Sequence, residues 1–292
     1  MKTLTVLSMT KKGYRLLADT VDEFRPLFKH VVIGRDLSLV DDYYEQTVAL
    51  CERHNIAWSE RASGHAFATD YVVAIGWRWL VDFPENRLVV FHDSLLPRYR
   101  GFNPLVTALI NGDKKIGVTA LFGAERFDSG PILAQASLDV SYPCTIAQAI
   151  EQIAACYAET AVDVFEELRH DRPLYGIAQD ETAATFSLWR DDADYRVDWS
   201  QPAEKLARFI DAVGSPYSGA TTLVNGHPAR ISKVEPIADV NVENRTIGKV
   251  IWVESACPVV VCGTGLLRVI TLTDMETGAS LLPLERFRSR FS

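Results

Sequence analysis

Residues 88–101 read LVVFHDSLLPRYRG. The first five are valine-rich and free of Gly and Pro, which predicts a β-strand ending at His92. Alternation along that strand places Leu88, Val90 and His92 on one face and Val89 and Phe91 on the other. Beyond it the chain cannot stay regular. Leu95 and Leu96 are expected to pack inward, Pro97 fixes a bend, and Arg98 and Arg100 follow within three residues. Moving outward toward the amino terminus, short apolar runs alternate with helical patterns. Strands are predicted near residues 4–7, 31–33 and 71–75, and helices near 14–21 and 43–54. This alternation implies βαβ units and an α/β fold, a Rossmann-like mainly parallel sheet. In such sheets ligands bind at the carboxyl ends of the strands, where His92 stands.

Outward in the other direction, Asn103-Pro104 has the chemistry of a helix start, with Asn as N-cap and Pro in the first turn. Gly112 suits the position after the last turn. Strands are predicted over 116–122 and 132–138. Thr145-x-x-Gln148 is a capping box that opens a long helix to about Arg169. After Gln179 the character changes. One amphipathic helix is expected over 202–213. From Ala220 onward, short strand-like runs alternate with the turn signals Asn225-Gly226, Cys262-Gly263 and Thr277-Gly278. We therefore expect a catalytic domain over 1–200 and a smaller domain of one helix plus a β-rich unit over 201–292.

Composition excludes several classes. Of 292 residues, 48% are hydrophobic, enough for a sizeable core, and the net charge is −8. That balance argues against a dedicated nucleic-acid binder. Cys51, Cys144, Cys156, Cys257 and Cys262 form no C-x-x-C pair. They read as free thiols in a reducing compartment, with no metal site. No apolar run reaches the length of a membrane span and no signal peptide stands out, so a cytoplasmic protein is expected.

The chemistry rests on two loops. Taken alone, a histidine at a strand end is more often satisfied by a nearby carbonyl than used in catalysis. Asp128, 36 residues later in FDSGPIL (residues 127–133), is by itself an ordinary turn former. Together they gain meaning. Two loops at strand ends of one sheet, carrying His92 and Asp128, are expected to meet as neighbours of a βαβ arrangement. A carboxylate beside an imidazole favours its charged form, and a cationic donor is most useful where negative charge develops on a carbonyl oxygen.

The combination H-x-S-L-L-P-R-Y-R-G, then P-L-x-x-A-L-I-N-G-D-x-x-x-G-V-T, then D-S-G-P-I-L resembles the formyltetrahydrofolate-dependent formyltransferases. The resemblance is dense over residues 71–168, and a weaker echo runs through QDETAATFSLWRDDADYRVDWSQPAEKLARFI. It implies an enzyme in which an amine attacks the formyl carbon of 10-formyltetrahydrofolate. His92 would then stabilise the oxyanion, and Asp128 would orient His92 and manage protons. The resemblance places the folate along residues 77–81 and 124–127, with Trp79, Leu80, Val81, Ala124, Glu125 and Phe127 as contacts, mostly through backbone groups. Arg98 and Arg100 could face an anionic substrate. The chain departs from the family at Val90, where the pattern N-x-H becomes V-x-H. Valine cannot donate a hydrogen bond, and one oxyanion donor is worth about 10²–10³ in rate.

The wording of the central stretch is most similar to the sugar N-formyltransferases. It implies a nucleotide-linked amino sugar as acceptor, with a role in surface polysaccharide biosynthesis; a homodimer stays open. From Lys205 to Ser292 there are ten Lys or Arg against eight Asp or Glu, a balance that disfavours tRNA. The alternatives are another amine, on methionyl-tRNA or a carrier-bound peptide, and a non-catalytic folate- or sugar-binding descendant, which Val90 motivates.

Overall fold

The computed structural model describes residues 1–37, 39, 41–61 and 66–292. It has two compact units. The first comprises Met1–Leu105, Lys115–Val140 and Ile150–Leu188. The second comprises Val106–Lys114, Ser141–Ala149 and Trp189–Ser292.

In the first unit, β1 (Leu4–Ser8) leads into α1 (Thr10–Phe24), then β2 (Phe28–Ile33), α2 (Tyr44–Arg53), β3 (Ala57–Glu60), β4 (Tyr71–Ile75) and β5 (Leu88–His92). These five strands are parallel, in the order β3-β2-β1-β4-β5. β1 and β4 are buried at every position, as expected of central parallel strands covered on both faces. Leu7, Val32, Val72, Ala74 and Leu88 form an apolar cluster, with Phe67, Trp77, Val81, Phe83 and Val90 packed against it. A second aromatic cluster joins Phe24, Phe28 and Phe165 through edge-to-face contacts at 5.5–5.6 Å.

A short strand β6 (Arg100–Gly101) precedes α3 (Pro104–Asn111), which returns the chain to the sheet as β7 (Lys115–Phe122) and β8 (Ile132–Asp139). Both are antiparallel to the strands they join, β7 to β5 and β8 to β7, and complete a seven-stranded sheet. The sheet is thus mainly parallel, with an antiparallel edge. α3 starts at Pro104 and is followed by Gly112 with φ 74°, as its sequence predicts, while Asn103 before it has φ 49°, left-handed and not the extended backbone usual for an N-cap. The capping box of α4 (Ile146–Arg169) also forms, with Gln148 N–H donating to Thr145 Oγ1 at 3.3 Å and Thr145 N–H to Gln148 Oε1 at 2.9 Å. β9 (Phe186–Ser187) pairs in parallel with β6.

The second unit is built on α5 (Ala203–Val213) and a five-stranded antiparallel sheet. Its strands are β10 (Ala220–Val224), β11 (His227–Ile237), β12 (Val250–Glu254), β13 (Cys257–Val261) and β14 (Leu266–Asp274), in the order β10-β11-β14-β13-β12. Hydrogen bonds explain why two earlier segments group with it. Arg208 Nε on α5 donates to the Ile110 carbonyl at 3.1 Å, and the Tyr142 hydroxyl to that of Asp113 at 2.9 Å. All five cysteines are free, and among the described residues no helix is long and apolar enough to cross a membrane.

Candidate active site

His92 closes β5 and is 8% exposed. Its Nε2 lies 2.8 Å from the Tyr99 carbonyl oxygen, so Nε2 carries the proton and donates. The carbonyl fixes the ring, as the plainest reading of a strand-end histidine expects. It also leaves Nδ1 as the nitrogen turned to the second residue of the pair. Asp128 Oδ2 is 3.5 Å from Nδ1. Two acceptors thus face the two ring nitrogens. At 3.5 Å the second contact is an ion-pair distance, too long for a good hydrogen bond.

The route by which Asp128 arrives differs from the expected neighbouring βαβ loops. β7 runs antiparallel to β5, with Phe122 opposite Val89 and Gly123 N–H bonded to the Leu88 carbonyl at 2.8 Å. The β7–β8 connection therefore starts at the amino end of β5. It folds back along the sheet to bring Asp128 to His92, about 10 Å away at the strand rise per residue. Asp128 takes the left-handed conformation, φ 54°, to make the turn. Its Oδ2 accepts the Gly101 N–H at 2.8 Å. Gly101 has φ 102°, and a Cβ there would stand 2.6 Å from the Ser187 carbonyl oxygen, so only glycine fits.

Arg100, expected to face an anionic substrate, points inward instead. It is 3% exposed, with its guanidinium bonded to Glu181 at 2.7 and 2.9 Å and to Gln179 Oε1 at 2.8 and 3.1 Å. Its side-chain hydrogen bond holds the Glu181 carboxyl below its ordinary range. Gln179 passes the connection on: its Nε2 donates to the carbonyls of Asp128 and Gly130, both at 2.8 Å. Arg100 therefore braces the Asp128 loop through Gln179. Arg98 is exposed and lies along the Tyr99 ring, 4.6 Å from its centroid, with a 2.7 Å bond to the Tyr99 hydroxyl.

The other side of the strand end holds a charge network that the sequence reading missed. Asp93 is 9% exposed and bonds both the Lys12 ammonium and the Tyr157 hydroxyl. Lys12 lies in the first turn of α1 and Tyr157 on α4, so three elements are pinned beside His92. Its signal was a carboxylate inside an otherwise apolar strand-to-loop junction. The loop itself is held by Thr119 Oγ1, which donates to the Ser94 carbonyl at 2.6 Å and accepts from Leu96 N–H and Gln135 Nε2.

The two segments expected to carry folate both approach the face that bears Val90 and His92. Trp77, Val81 and Val90 pack against one cluster, and Gly123 sits against Leu88. Leu80 is 90% exposed, Phe127 is 64% exposed, and Ala124 and Glu125 are open to solvent. Trp79 is half-buried, with the Arg61 guanidinium 4.0 Å over its ring. Phe127 contacts Phe102 at 6.0 Å between ring centroids. The result is apolar surface beside a buried histidine and a half-buried aspartate, suited to a planar ligand next to a polar reaction centre.

An α/β sheet with a histidine and a looped-back aspartate at the end of its fifth strand, together with a second unit built on an antiparallel sheet, defines a two-part architecture. The formyl transferase model matches residues 55–164 and the formyl transferase C-terminal domain model residues 190–281, together more than half of the chain. The chain belongs to the formyl transferase family. It is 28% identical over 208 residues to a methionyl-tRNA formyltransferase of Dechloromonas aromatica, covering 71% of this chain and 64% of that protein. It is 34% identical over 213 residues to that of Roseiflexus sp., covering 72% and 63%. The chain thus matches a little under two thirds of the length of these relatives. An N-formyltransferase of Helicobacter canadensis, solved with folinic acid and dTDP-3-aminofucose, superposes with a TM-score of 0.71 at 13% identity, over 92% of this chain and 99% of that one. At that identity the likeness concerns the fold.

Proposed function

We propose that the protein is an N-formyltransferase that moves the formyl group of 10-formyltetrahydrofolate to the amine of a nucleotide-linked amino sugar. The observation that carries the reaction is the His92 Nδ1–Asp128 contact, set beside segments 77–81 and 124–127, which expose the apolar side chains of Leu80 and Phe127. Those segments fit a folate: Leu80 and Phe127 offer apolar surface, and Trp79, Val81, Ala124 and Glu125 add backbone groups for its polar edge. When bound, the folate supplies an electrophilic formyl carbon. His92 donates Nδ1–H to the charge that develops on the formyl oxygen, and its Nε2–H stays on Tyr99, so the ring does not turn away. Asp128 holds the imidazolium and stands where the attacking amine sheds its proton. In the balance, a bond forms between the acceptor nitrogen and the formyl carbon, and the bond from that carbon to the folate nitrogen breaks. One proton leaves the acceptor nitrogen and one reaches the folate nitrogen. Val90 adds no donor, so His92 carries the side-chain share of the stabilisation, with Arg98 left to meet an anionic substrate. We place this chemistry in residues 1–200.

The sugar acceptor is supported by the near-neutral carboxyl-terminal segment and by the full-length superposition on a nucleotide-sugar enzyme. Similarity to methionyl-tRNA formyltransferases favours a second reading, tRNA as acceptor. Release of tetrahydrofolate decides between them, measured with a panel of nucleotide-linked amino sugars and with methionyl-tRNA. Turnover with a sugar supports the proposal, and turnover with methionyl-tRNA alone replaces it. No release with any amine, in a protein that binds the folate, leaves a binding descendant.

A further inference from the structure

We propose that the carboxyl-terminal unit contains a second ligand site, specific for a phosphorylated small molecule and built on the row Arg196–Thr221–Arg230. Thr221 of β10 is the direct cross-strand partner of Arg230 on β11, and on its other side it forms a parallel bridge with Arg196. Directly paired residues point to the same face with Cβ atoms about 4.5–5.5 Å apart. Two guanidinium stems therefore flank one threonine hydroxyl, and all three line a cavity of about 370 Å³. The backbones that carry the two arginines lie two strand spacings apart, about 10 Å, so both side chains can reach one ligand in the cavity.

Arg230 is half-buried, its Nε is shut off from solvent, and Nε has no hydrogen-bond partner among the described residues. The backbone makes room for its stem: Gly219 has φ 83°, and a Cβ there would stand 3.1 Å from Arg230 Cδ. Asp192 also lines the cavity, but no ion pair joins it to either arginine among the described residues. A partly desolvated guanidinium without a partner is costly, and a fork of N–H donors around a hydroxyl is the chemistry that binds phosphate. Leu223 and Met275 give the same cavity an apolar wall, against which the organic part of a phosphate ester would lie.

The site shares no residue with the proposed formyl-transfer centre, and its test is binding, so it stands or falls independently of that reading. The full chain is titrated calorimetrically with inorganic phosphate and with a nucleoside 5′-monophosphate, against sodium chloride of equal ionic strength. Saturable binding of phosphate is expected, weakened about tenfold or more by Arg196→Gln and by Arg230→Gln, the worth of one charge-assisted hydrogen bond. Tighter binding of the nucleotide that is weakened by the same two variants assigns the site to a phosphorylated organic ligand, and equal binding to free phosphate. Arg196 is exposed, so its variant reports even if the Arg230 variant does not fold. Absence of binding, binding unchanged in the variants, or binding of an oligonucleotide with none of either small phosphate would overturn the proposal.

Discussion

At the scale of single residues, the pair His92 and Asp128 separates chemistry from packing. His92 contributes one hydrogen bond to Tyr99 and little apolar area, so its replacement should leave the fold standing. We expect His92→Asn and Asp128→Asn each to lower formyl transfer by about 10²–10³, the range for loss of one preorganised donor. Circular dichroism should stay native. Wild-type turnover in both variants would remove this centre from consideration. Val90 poses the converse test. It packs, partly buried, against the cluster of Leu7, Val32, Val72, Ala74 and Leu88, and an unpaired amide in such a place costs about 1–3 kcal/mol. Val90→Asn should therefore melt lower and gain no more than a few-fold in rate. A gain of about 10² would show that the native site lacks a donor that asparagine can supply.

At the scale of elements, the strand end that carries His92 is held by an ammonium from one helix and a hydroxyl from another, both on Asp93. Lys12 and Asp93 are 18% and 9% exposed at their side chains. Removing one partner of a buried pair costs about 3 kcal/mol or more, because the other charge is left unpaired. Lys12→Met should be destabilised by about that much, and Lys12→Met combined with Asp93→Asn should recover most of it, read from urea midpoints. Additive losses in the double variant would mean that the two side chains act separately. The helices of this region were legible from local chemistry: Asn103-Pro104 marks where one starts, and Gly112 and the Thr145–Gln148 box each close a backbone group within a few residues. β3 was not, because Ala57–Glu60 is short, half-exposed and at the sheet edge, so no apolar period marks it. Strand direction was not legible either. β5 and β7 carry the same apolar run whichever way they are paired, and only the register of Phe122 on Val89 shows that Asp128 reaches His92 by folding back. The inward turn of Arg100 rests on Gln179 and Glu181, some 80 residues away, where no spacing rule applies.

At the scale of the whole molecule, carboxylates of opposite shift set the response to acid. Side-chain and backbone hydrogen bonds from Thr3 hold the Asp70 carboxyl below its ordinary value. Such a group stabilises the fold above its unfolded value of about 3.9, and that stability is lost as pH falls through the folded value. Asp211 on α5 is the reverse case. Burial alone pushes its carboxyl up from 3.8. The folded state then prefers the proton more than the unfolded chain does. Stability is fully present below the unfolded value of about 3.9, declines as pH rises through the raised folded value, and stays reduced at neutral pH. Asp211→Asn keeps the shape and removes the charge, so it should raise Tm at pH 7 and change it little below about pH 3.9. The check is a pair of melting curves at the two pH values, beside Asp70→Asn, which should lower Tm at pH 7. An Asp211→Asn protein that melts lower at pH 7 would mean that this carboxylate has a partner in solution, and that burial is not what governs it.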